Sequence, residues 1–347
     1  MGSFNKLIVK LLALWEVYAC IFMKVNSVEG LVEVADDPQV TGFNVRPYQT
    51  IFVDPSQHGN FTTIQAAIDS VPRDNTKWVC IYIKKGIYRE KVNIPSDKPY
   101  IILKGQSRRT TEIVWDDHEN LAQSPTFTSM ADNIVVKSIS FRNSYNNPVN
   151  EKHPRVPAAA ARISGDKSFF YRCGFYGLQD TLWDDEGRHY YKSCTIQGAV
   201  DFIFGAGQSL YEKCSISVLG GALGPGIDGI ITAQGRTNLN DVNGFVFKDC
   251  KVAGTGSAVL GRPWRAYARV LFYNSNFTRV VSPKGWDAGN FRGHEDRLTF
   301  SEYNCHGEGA APSDRVSWVK KLSWLTAEQL ASTTYIDSDA WLNDQPN

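Results

Sequence analysis

The sequence predicts an all-β solenoid, in which coils of chain stack through parallel strands and short helices cap the stack. Two observations support this prediction. A short motif of a small residue, a spacer and a large apolar residue returns several times at spacings near 20 residues, and a helical pattern of apolar residues precedes it. The 347 residues are 42% apolar and 21% charged, a balance typical of a globular protein rather than a disordered one.

The first 30 residues are predicted to be a secretory signal peptide. Lys6 and Lys10 give a basic start, and apolar runs follow as far as the small residues near Ser27. Because Lys10 and Glu16 interrupt the apolar stretch, a membrane span is not expected. A core helix is the alternative interpretation. Residues 31–45 are expected to be an N-terminal segment that precedes the solenoid.

The charge balance and two short motifs fit a secreted protein. Lys and Arg number 37 against 36 Asp and Glu, a net charge of +1, which argues against a broad basic surface for nucleic acid. Asn60 and Asn276 each begin an Asn-x-Thr triplet and are candidate glycosylation sites. With no linker-like stretch in the middle of the chain, one domain is predicted over residues 46–342, followed by a C-terminal tail at 343–347.

Two helices are predicted to flank the solenoid. The first is indicated by apolar residues at i, i+3, i+4 and i+7, namely Ile64, Ala67, Ile68 and Val71. Pro72 follows and should end this helix. Near the other end, Thr326 and Gln329 have the spacing of a capping box, which predicts a helix that starts at Thr326.

The repeat is clearest around four cysteines, Cys173, Cys194, Cys214 and Cys250, which are spaced by 21, 20 and 36 residues. In each unit an apolar residue lies two positions after the cysteine, so both side chains should face one side of a short strand. One strand per unit is therefore predicted, with the cysteines in a buried column. Disulfide bonds are the alternative, since six cysteines remain after the signal segment.

The solenoid register predicts a pair of neighbouring carboxylates. Asp180 lies seven residues after Cys173, and Asp201 lies seven residues after Cys194. Stacked coils would bring their backbones to about 5 Å, and two carboxyl groups that close cannot both ionise easily. Such a pair suits nucleophilic catalysis with a general acid/base. The alternative is a pair of turn aspartates that face solvent.

Other mechanisms lack sequence support. The chain contains no Gly-x-Ser-x-Gly motif, no His-Glu-x-x-His motif and no Cys-x-x-Cys pair. Neither a metal site nor a cofactor is therefore expected.

Around Asp180 and Asp201, and in three further stretches, the chain resembles the plant pectin methylesterases (pectinesterases, carbohydrate esterase family 8). The matching stretches are Gly86-Ile87-Tyr88-Arg89-Glu90, Gln179-Asp180-Thr181-Leu182, Gly198-Ala199-Val200-Asp201-Phe202-Ile203-Phe204-Gly205, Ile231-Thr232-Ala233-Gln234-Gly235-Arg236 and Leu260-Gly261-Arg262-Pro263-Trp264. The resemblance implies a right-handed parallel β-helix. It also implies hydrolysis of galacturonate methyl esters in pectin, which releases methanol and a free carboxylate in the plant cell wall.

The resemblance assigns a role to each site residue. Asp201 matches the nucleophile, Asp180 the general acid/base and Gln179 a donor to the oxyanion. Arg262 matches the arginine that pairs with the nucleophile, and Trp264 matches an aromatic residue that contacts sugar. The implied partners are pectin and a pectinesterase inhibitor protein, and the chain is expected to be monomeric.

The sequence departs from the family pattern at one site position. The family commonly has a second glutamine where Pro157 stands here, and proline has neither a side-chain amide nor a backbone N–H. Two rival functions therefore stay open. One is a secreted pectin-binding protein with little activity. The other is a β-helix hydrolase of the pectin chain, because paired carboxylates also suit a retaining glycosidase.

Overall fold

Twenty-five short strands form three parallel sheets in the computed structural model, which describes residues 48–146 and 154–346. The strands are numbered β1 to β25 along the chain, and successive strands of a coil belong to different sheets. Each strand pairs with its counterpart in the next coil, so the sheets run side by side along the stack.

Sheet A, with ten strands, contains β1 (Gln49–Val53), β2 (Val79–Ile83), β5 (Ile101–Gly105), β8 (Ile134–Lys137), β11 (Ser168–Tyr171), β14 (Arg188–Lys192), β17 (Gln208–Glu212), β20 (Gly244–Lys248), β23 (Arg269–Tyr273) and β25 (Thr299–Tyr303). Sheet B, with eight, contains β3 (Gly86–Tyr88), β6 (Thr111–Trp115), β9 (Ser140–Asn143), β12 (Gly174–Tyr176), β15 (Thr195–Gly198), β18 (Ser215–Leu219), β21 (Lys251–Thr255) and β24 (Asn276–Phe277). Sheet C, with seven, contains β4 (Val92–Ile94), β7 (Phe127–Ser129), β10 (Ala161–Ile163), β13 (Leu182–Asp184), β16 (Ile203–Gly205), β19 (Gly229–Gln234) and β22 (Ala258–Pro263).

The repeat motif spans a corner of the coil, so the prediction of one strand per unit is wrong. A complete coil holds three strands, and each cysteine lies between a strand of sheet A and a strand of sheet B. The residue before each cysteine makes the bend, with φ of 53° at Arg172, 55° at Ser193, 52° at Lys213 and 53° at Asp249. A single left-handed residue turns the chain sharply. About 20 residues therefore suffice for three short strands and their corners.

The buried column of cysteines is confirmed. All six cysteines in the described part of the chain are free thiols, and the four of the repeat are at most 2% exposed. The Sγ of Cys194 lies 3.4 Å from the carbonyl oxygen of Phe170, and the Sγ of Cys214 lies 3.4 Å from that of Tyr191. Each thiol thus donates to the preceding coil, which links the corners along the stack.

A ladder of aromatic rings fills the core beneath sheet A. Ring centroids are separated by 5.1 Å from Phe170 to Tyr191, by 4.6 Å from there to Tyr211, and by 4.5 Å in each step to Phe247 and Phe272. In three of these four neighbouring pairs the interplanar angle is 10–12°, so the rings stack nearly face to face. Coil-to-coil packing of this kind fixes the register on which the site depends.

We expect Phe247→Ala to destabilise the protein by about 3–5 kcal/mol, because it removes a fully buried ring and leaves a cavity between two neighbours. The measurement is the urea midpoint of unfolding. Phe52→Ala is the control, since the Phe52 side chain is 44% exposed and should change stability little. Equal effects of the two substitutions would contradict the role given to the ladder.

The N-terminal helix α1 (Ile64–Ser70) is present as predicted, and Ile64, Ala67 and Ile68 are buried. A distant residue caps it. The Glu90 carboxylate accepts the N–H groups of Ile64 at 3.0 Å and of Gln65 at 3.1 Å. A carboxylate satisfies the free donors of a helix N-terminus and complements its dipole.

The C-terminal helix α2 (Trp324–Ala331) starts earlier than the capping-box spacing predicts. Ser323 is its N-cap, and the Ser323 Oγ accepts the N–H of Thr326 at 3.2 Å. Thr326 is therefore the third residue of the helix and not its cap. Ala331 packs with Leu210 and Val246 against the outer face of sheet A.

The described residues belong to one compact unit. The predicted signal peptide and the segment 31–45 lie outside the described residues, and the predicted boundaries at 46, 342 and 343 stay predictions. Within the described ranges, none of the helices has the length and hydropathy that a membrane crossing requires.

Candidate active site

Asp180 and Asp201 lie on neighbouring coils and in register. The N–H of Asp180 donates to the carbonyl oxygen of Val200 at 3.0 Å, and β13 pairs with β16 so that Leu182 lies opposite Ile203. Both aspartates form the corner that leads into sheet C, with φ of 59° and 47°. Parallel strands are about 4.8 Å apart, so the spacing inferred from the cysteines is reproduced.

Arg262 reaches Asp201 across an intervening strand. Its Nε donates to Asp201 Oδ1 at 2.9 Å, and its Nη2 donates to Oδ2, so the guanidinium and the carboxylate form a bidentate ion pair. In the register of β16, β19 and β22, Ala233 lies between Phe204 and Arg262. The small Ala233 side chain leaves the space through which the arginine extends.

Burial and charge set the protonation of the pair. Both aspartates are only 9% exposed. Burial raises the pKa of Asp180 to about 7, with a further rise from the Asp201 charge and a smaller opposing effect of Arg262. Asp180 is therefore the carboxyl group that keeps a proton near neutral pH.

The pKa of Asp201 is also raised, because burial outweighs its hydrogen bond and charge interaction with Arg262. A neighbouring cation lowers the pKa of a carboxyl group, but here the effect of Arg262 is smaller than that of burial. Arg262 nevertheless favours the ionised form of Asp201 through a direct hydrogen bond, and Arg155 adds a smaller effect in the same direction. The Asp180 carboxyl interacts with Arg262 through charge alone.

Gln179 and Trp264 flank the pair. Gln179 is half-buried directly before Asp180, and its backbone bridges to Val200. The Trp264 side chain is 40% exposed, which excludes simple core packing, and its ring meets Phe204 edge to face at 6.0 Å. All five residues named from the sequence therefore lie at one end of sheet C.

The structure adds an outward-facing row that the sequence analysis missed. Phe204 stacks on Trp183 at 5.3 Å, and the Arg162 guanidinium lies 4.4 Å above the Trp183 ring. Trp183 and Phe204 come three residues after Asp180 and Asp201, so the repeat that found the aspartates could have found them. This row, here called the aromatic face, continues the site along the stack.

The departure from the family pattern at Pro157 has a clear place in the structure. The residue after Pro157, Ala158, donates its N–H to the carbonyl oxygen of Gln179 at 3.2 Å, so the proline lies beside the glutamine that remains. Trp286 is fully buried and its Nε1 donates to Glu302 at 3.0 Å, so this tryptophan does not reach the aromatic face.

The described residues contain no group of three or more histidine, cysteine, aspartate or glutamate side chains arranged to hold a metal ion. What the site offers chemically is a protonated carboxyl, an arginine-bound carboxylate, an amide and an exposed indole. On a parallel β-helix, these features fit the class of enzymes that combine a carboxylate nucleophile with a carboxyl general acid/base.

Comparison with known proteins specifies the class. The pectinesterase family model matches residues 50–339. The chain belongs to the pectinesterase family, whose members are carboxylic ester hydrolases. Probable pectinesterase 29 of Arabidopsis thaliana is 60% identical over 301 residues, which cover 86% of this chain and 90% of that protein. Probable pectinesterase 55 of the same plant is 59% identical over 304 residues, with coverages of 87% and 92%.

Solved structures agree with the family assignment. Pectin methylesterase from carrot superposes with a TM-score of 0.77 at 30% identity and covers 89% of this chain and 98% of its own. A pectin methylesterase in complex with hexasaccharide VII gives a TM-score of 0.73 at 26% identity, with coverages of 85% and 98%. The predicted fold class, a right-handed parallel β-helix, is confirmed.

Proposed function

We propose that this protein hydrolyses the methyl esters of galacturonate residues in pectin, with Asp201 as nucleophile and Asp180 as general acid and base. The observation that carries the proposal is the asymmetric pair of carboxyls. Asp201 is bound by a guanidinium, while burial keeps a proton on its neighbour Asp180. One centre thus holds an ionised attacking group and a proton donor, which ester cleavage with an alcohol leaving group requires.

In the first step, an Asp201 carboxylate oxygen attacks the ester carbonyl carbon and forms a tetrahedral intermediate. The Gln179 side-chain amide then donates to the developing oxyanion, an interaction worth about 100- to 1000-fold in rate in comparable sites. The carbon–oxygen bond to the methoxy group then breaks, and the proton of Asp180 passes to that oxygen. Methanol leaves, and the galacturonyl group stays bound to Asp201 as an anhydride.

In the second step, Asp180 is ionised and acts as a base. It removes a proton from a water molecule while the water oxygen attacks the acyl carbon. The bond to Asp201 breaks, the free galacturonate carboxylic acid forms, and Asp180 again holds a proton. Arg262 stabilises the Asp201 carboxylate both before attack and as the leaving group of this step.

The rival functions predict different products. A hydrolase of the pectin chain would create new reducing ends, whereas an esterase creates methanol. A pectin-binding protein without activity would create neither, and Pro157 in place of a second oxyanion donor is the feature that favours it. Gln179 and the protonated Asp180 remain available for the reaction, which favours the esterase.

The deciding experiment measures methanol and reducing ends in the same tubes, with highly methylated pectin and the secreted protein. Methanol without new reducing ends is the expected result. Reducing ends without methanol would assign the chain-hydrolase function. Retained pectin binding with neither product would assign the binding-protein function.

Trp264 offers its exposed face to a sugar ring, and Gly235 makes room for it. A Cβ added at Gly235 would lie 2.7 Å from Trp264 Cε3, so Gly235→Ala must displace the indole. We expect KM for pectin to rise about three- to tenfold with little change in kcat, since one aromatic contact is lost. Gly221→Ala is the control, because the nearest atoms to its Cβ would be the Thr255 side chain at 3.0 Å and the Gly256 backbone nitrogen at 3.9 Å. An unchanged KM would show that Trp264 does not contact the substrate.

The remaining proposals concern the context of the enzyme. We infer secretion to the plant cell wall from the predicted signal at residues 1–30, and action as a monomer on pectin, with a pectinesterase inhibitor protein as a further partner. Asn60 is exposed and is the better placed glycosylation candidate, whereas Asn276 is half-buried within β24. The solved relative in complex with a hexasaccharide supports a sugar-chain substrate.

A further inference from the structure

Positively charged side chains follow the corner between sheets A and B. In six successive coils, this corner spans residues 104–112, 137–140, 171–174, 192–195, 212–215 and 248–251. Six cations on it form no ion pair within the described part of the chain, and together they are called the basic ridge: Lys104, Arg108, Lys192, Lys213, Lys248 and Lys251.

The charge of this corner differs from that of the whole chain. The six corner segments contain nine lysines and arginines and three acidic residues, whereas the whole chain has 37 and 36. The other residues therefore have 28 cations and 33 anions. Two of the three acidic residues are already engaged, since Glu112 pairs with Arg142 and Glu212 accepts the hydroxyl of Tyr190. The corner is thus a strip of positive potential on a surface that is otherwise weakly acidic.

Strand pairing gives the basic ridge a regular spacing. On sheet A, Lys192 lies beside Glu212, and Glu212 lies beside Lys248. Neighbouring coils are about 4.8 Å apart, so the cations recur at intervals of one or two coils. The Lys192 ammonium lies 5.8 Å from the centroid of the Tyr190 ring, while the Lys213 side chain is exposed. The row is therefore both periodic and accessible.

The connection between β5 and β6 holds Arg108 on the same corner. The Ser140 hydroxyl donates to the carbonyl oxygen of Arg108 at 2.6 Å. Arg108 Nη1 donates to the carbonyl oxygen of Ser193 at 3.0 Å, which places the guanidinium next to the coil of Lys192. Neither contact neutralises the charge of Arg108, because hydroxyl and carbonyl groups carry no net charge.

The basic ridge is remote from the candidate active site. Each coil passes from sheet A to sheet B and then to sheet C, so sheet C does not adjoin the corner that carries the ridge. Asp180 and Asp201 lie at the other end of sheet B, where the chain enters sheet C. A polymer bound on the ridge therefore leaves the aromatic face free for a second polymer.

We propose that the basic ridge binds de-esterified galacturonan, a linear sugar polymer with one free carboxylate on each residue. The inference rests on the proposed function for the identity of the polymer. Its charges repeat at a distance comparable with the coil spacing, whereas a fully esterified chain carries none. Flexible lysine side chains can follow such a row of carboxylates without exact register. Because the proposed reaction converts neutral sugars into anionic ones, the enzyme would be retained on pectin that it has already modified.

The test is binding of unmethylated polygalacturonate to the wild-type protein at low salt, measured by calorimetry. One variant combines Lys213→Gln, Lys248→Gln and Lys251→Gln, and we expect its affinity to fall about three- to thirtyfold, since each exposed charge contributes modestly. Arginine at the same three positions keeps the charge and should keep the affinity. The matched control combines Lys77→Gln, Lys320→Gln and Lys321→Gln, which removes three charges outside the ridge.

The difference between the ridge variant and the control variant should disappear at high salt, because the interaction is screened. Equal losses in the two variants would overturn the ridge, since net charge alone would then explain them. Phosphatidylserine vesicles that bind wild type as tightly as polygalacturonate at equal charge would assign the ridge to anionic surfaces and overturn the proposed partner.

Failure of the proposed function gives a separate result, namely no methanol from wild-type protein with methylated pectin. Polygalacturonate contains no ester, so its binding does not depend on that reaction. Methanol release together with ridge and control variants that bind alike would overturn the ridge and leave the proposed function intact.

Discussion

Asp201→Asn is expected to reduce methanol release from methylated pectin by at least about 10,000-fold, since removing a catalytic nucleophile in comparable enzymes costs this much or more. Asparagine has the same shape and also tolerates the left-handed backbone that Asp201 adopts, with φ of 47°. The amide cannot attack an ester carbonyl, and it cannot form the ion pair with Arg262. The protein should still fold and still bind pectin.

The matched control is Asp339→Asn. Asp339 also pairs with an arginine, Arg188, but it lies outside the candidate site. Its substitution should leave methanol release within about twofold, because a surface ion pair contributes little. A folded Asp201→Asn protein that retains a tenth or more of wild-type activity would exclude Asp201 as the nucleophile.

Asp180→Asn is expected to lower methanol release about 100- to 10,000-fold, the usual range for loss of a general acid and base. In the wild type, kcat/KM should fall as pH rises through about 7, the pKa of Asp180, since the proposed mechanism uses the protonated form of this residue to release methanol. The residual activity of the variant should not show this fall near pH 7. A pH profile that still falls near 7 in the variant would assign the titration to another group.

Although Asp180→Asn should lower activity, it should increase the stability of the folded protein above neutral pH. The folded-state pKa of Asp180, about 7, is above the ordinary value of 3.8, so the folded state holds the proton more tightly between these values. Wild-type stability therefore decreases as pH rises from about 4 to 7. The asparagine side chain cannot ionise, so the Asp180→Asn variant buries no charge when it folds. We expect it to be more stable than wild type at pH 8, by roughly a few kcal/mol. At pH 4 the two should unfold at similar temperatures.

The sequence predicted the parts of the site that follow from periodicity. A constant distance from Cys173 to Asp180 and from Cys194 to Asp201 was enough to place the aspartates side by side, because stacked coils preserve register. The same logic extends to Trp183 and Phe204. Arg262 lies at a different position of its coil, 12 residues after Cys250, so the family resemblance was needed to find it.

Other features depend on contacts that periodicity cannot report. The motif around each cysteine looks like a strand, but one left-handed residue makes it a corner. Glu90 caps α1 from 26 residues away, so no local signal at the helix identifies it. The net rise in the pKa of Asp201 depends on how deeply the site is buried, which the sequence does not show. The sequence identifies only Arg262, whose charge opposes this rise.

The reach of Arg262 across β19 has a consequence for how such a site can change. The candidate site takes Asp180, Asp201 and Arg262 from three coils of a four-coil stack, and only the strands that stack must keep their length. Extra residues between β18 and β19, or between β19 and β20, leave the stack at the corners and do not alter the separation of Asp180, Asp201 and Arg262. Insertions and deletions there can reshape the cleft while the chemistry stays constant. These two connections are therefore the natural places for relatives to diverge in substrate pattern, and for an engineer to graft a new one.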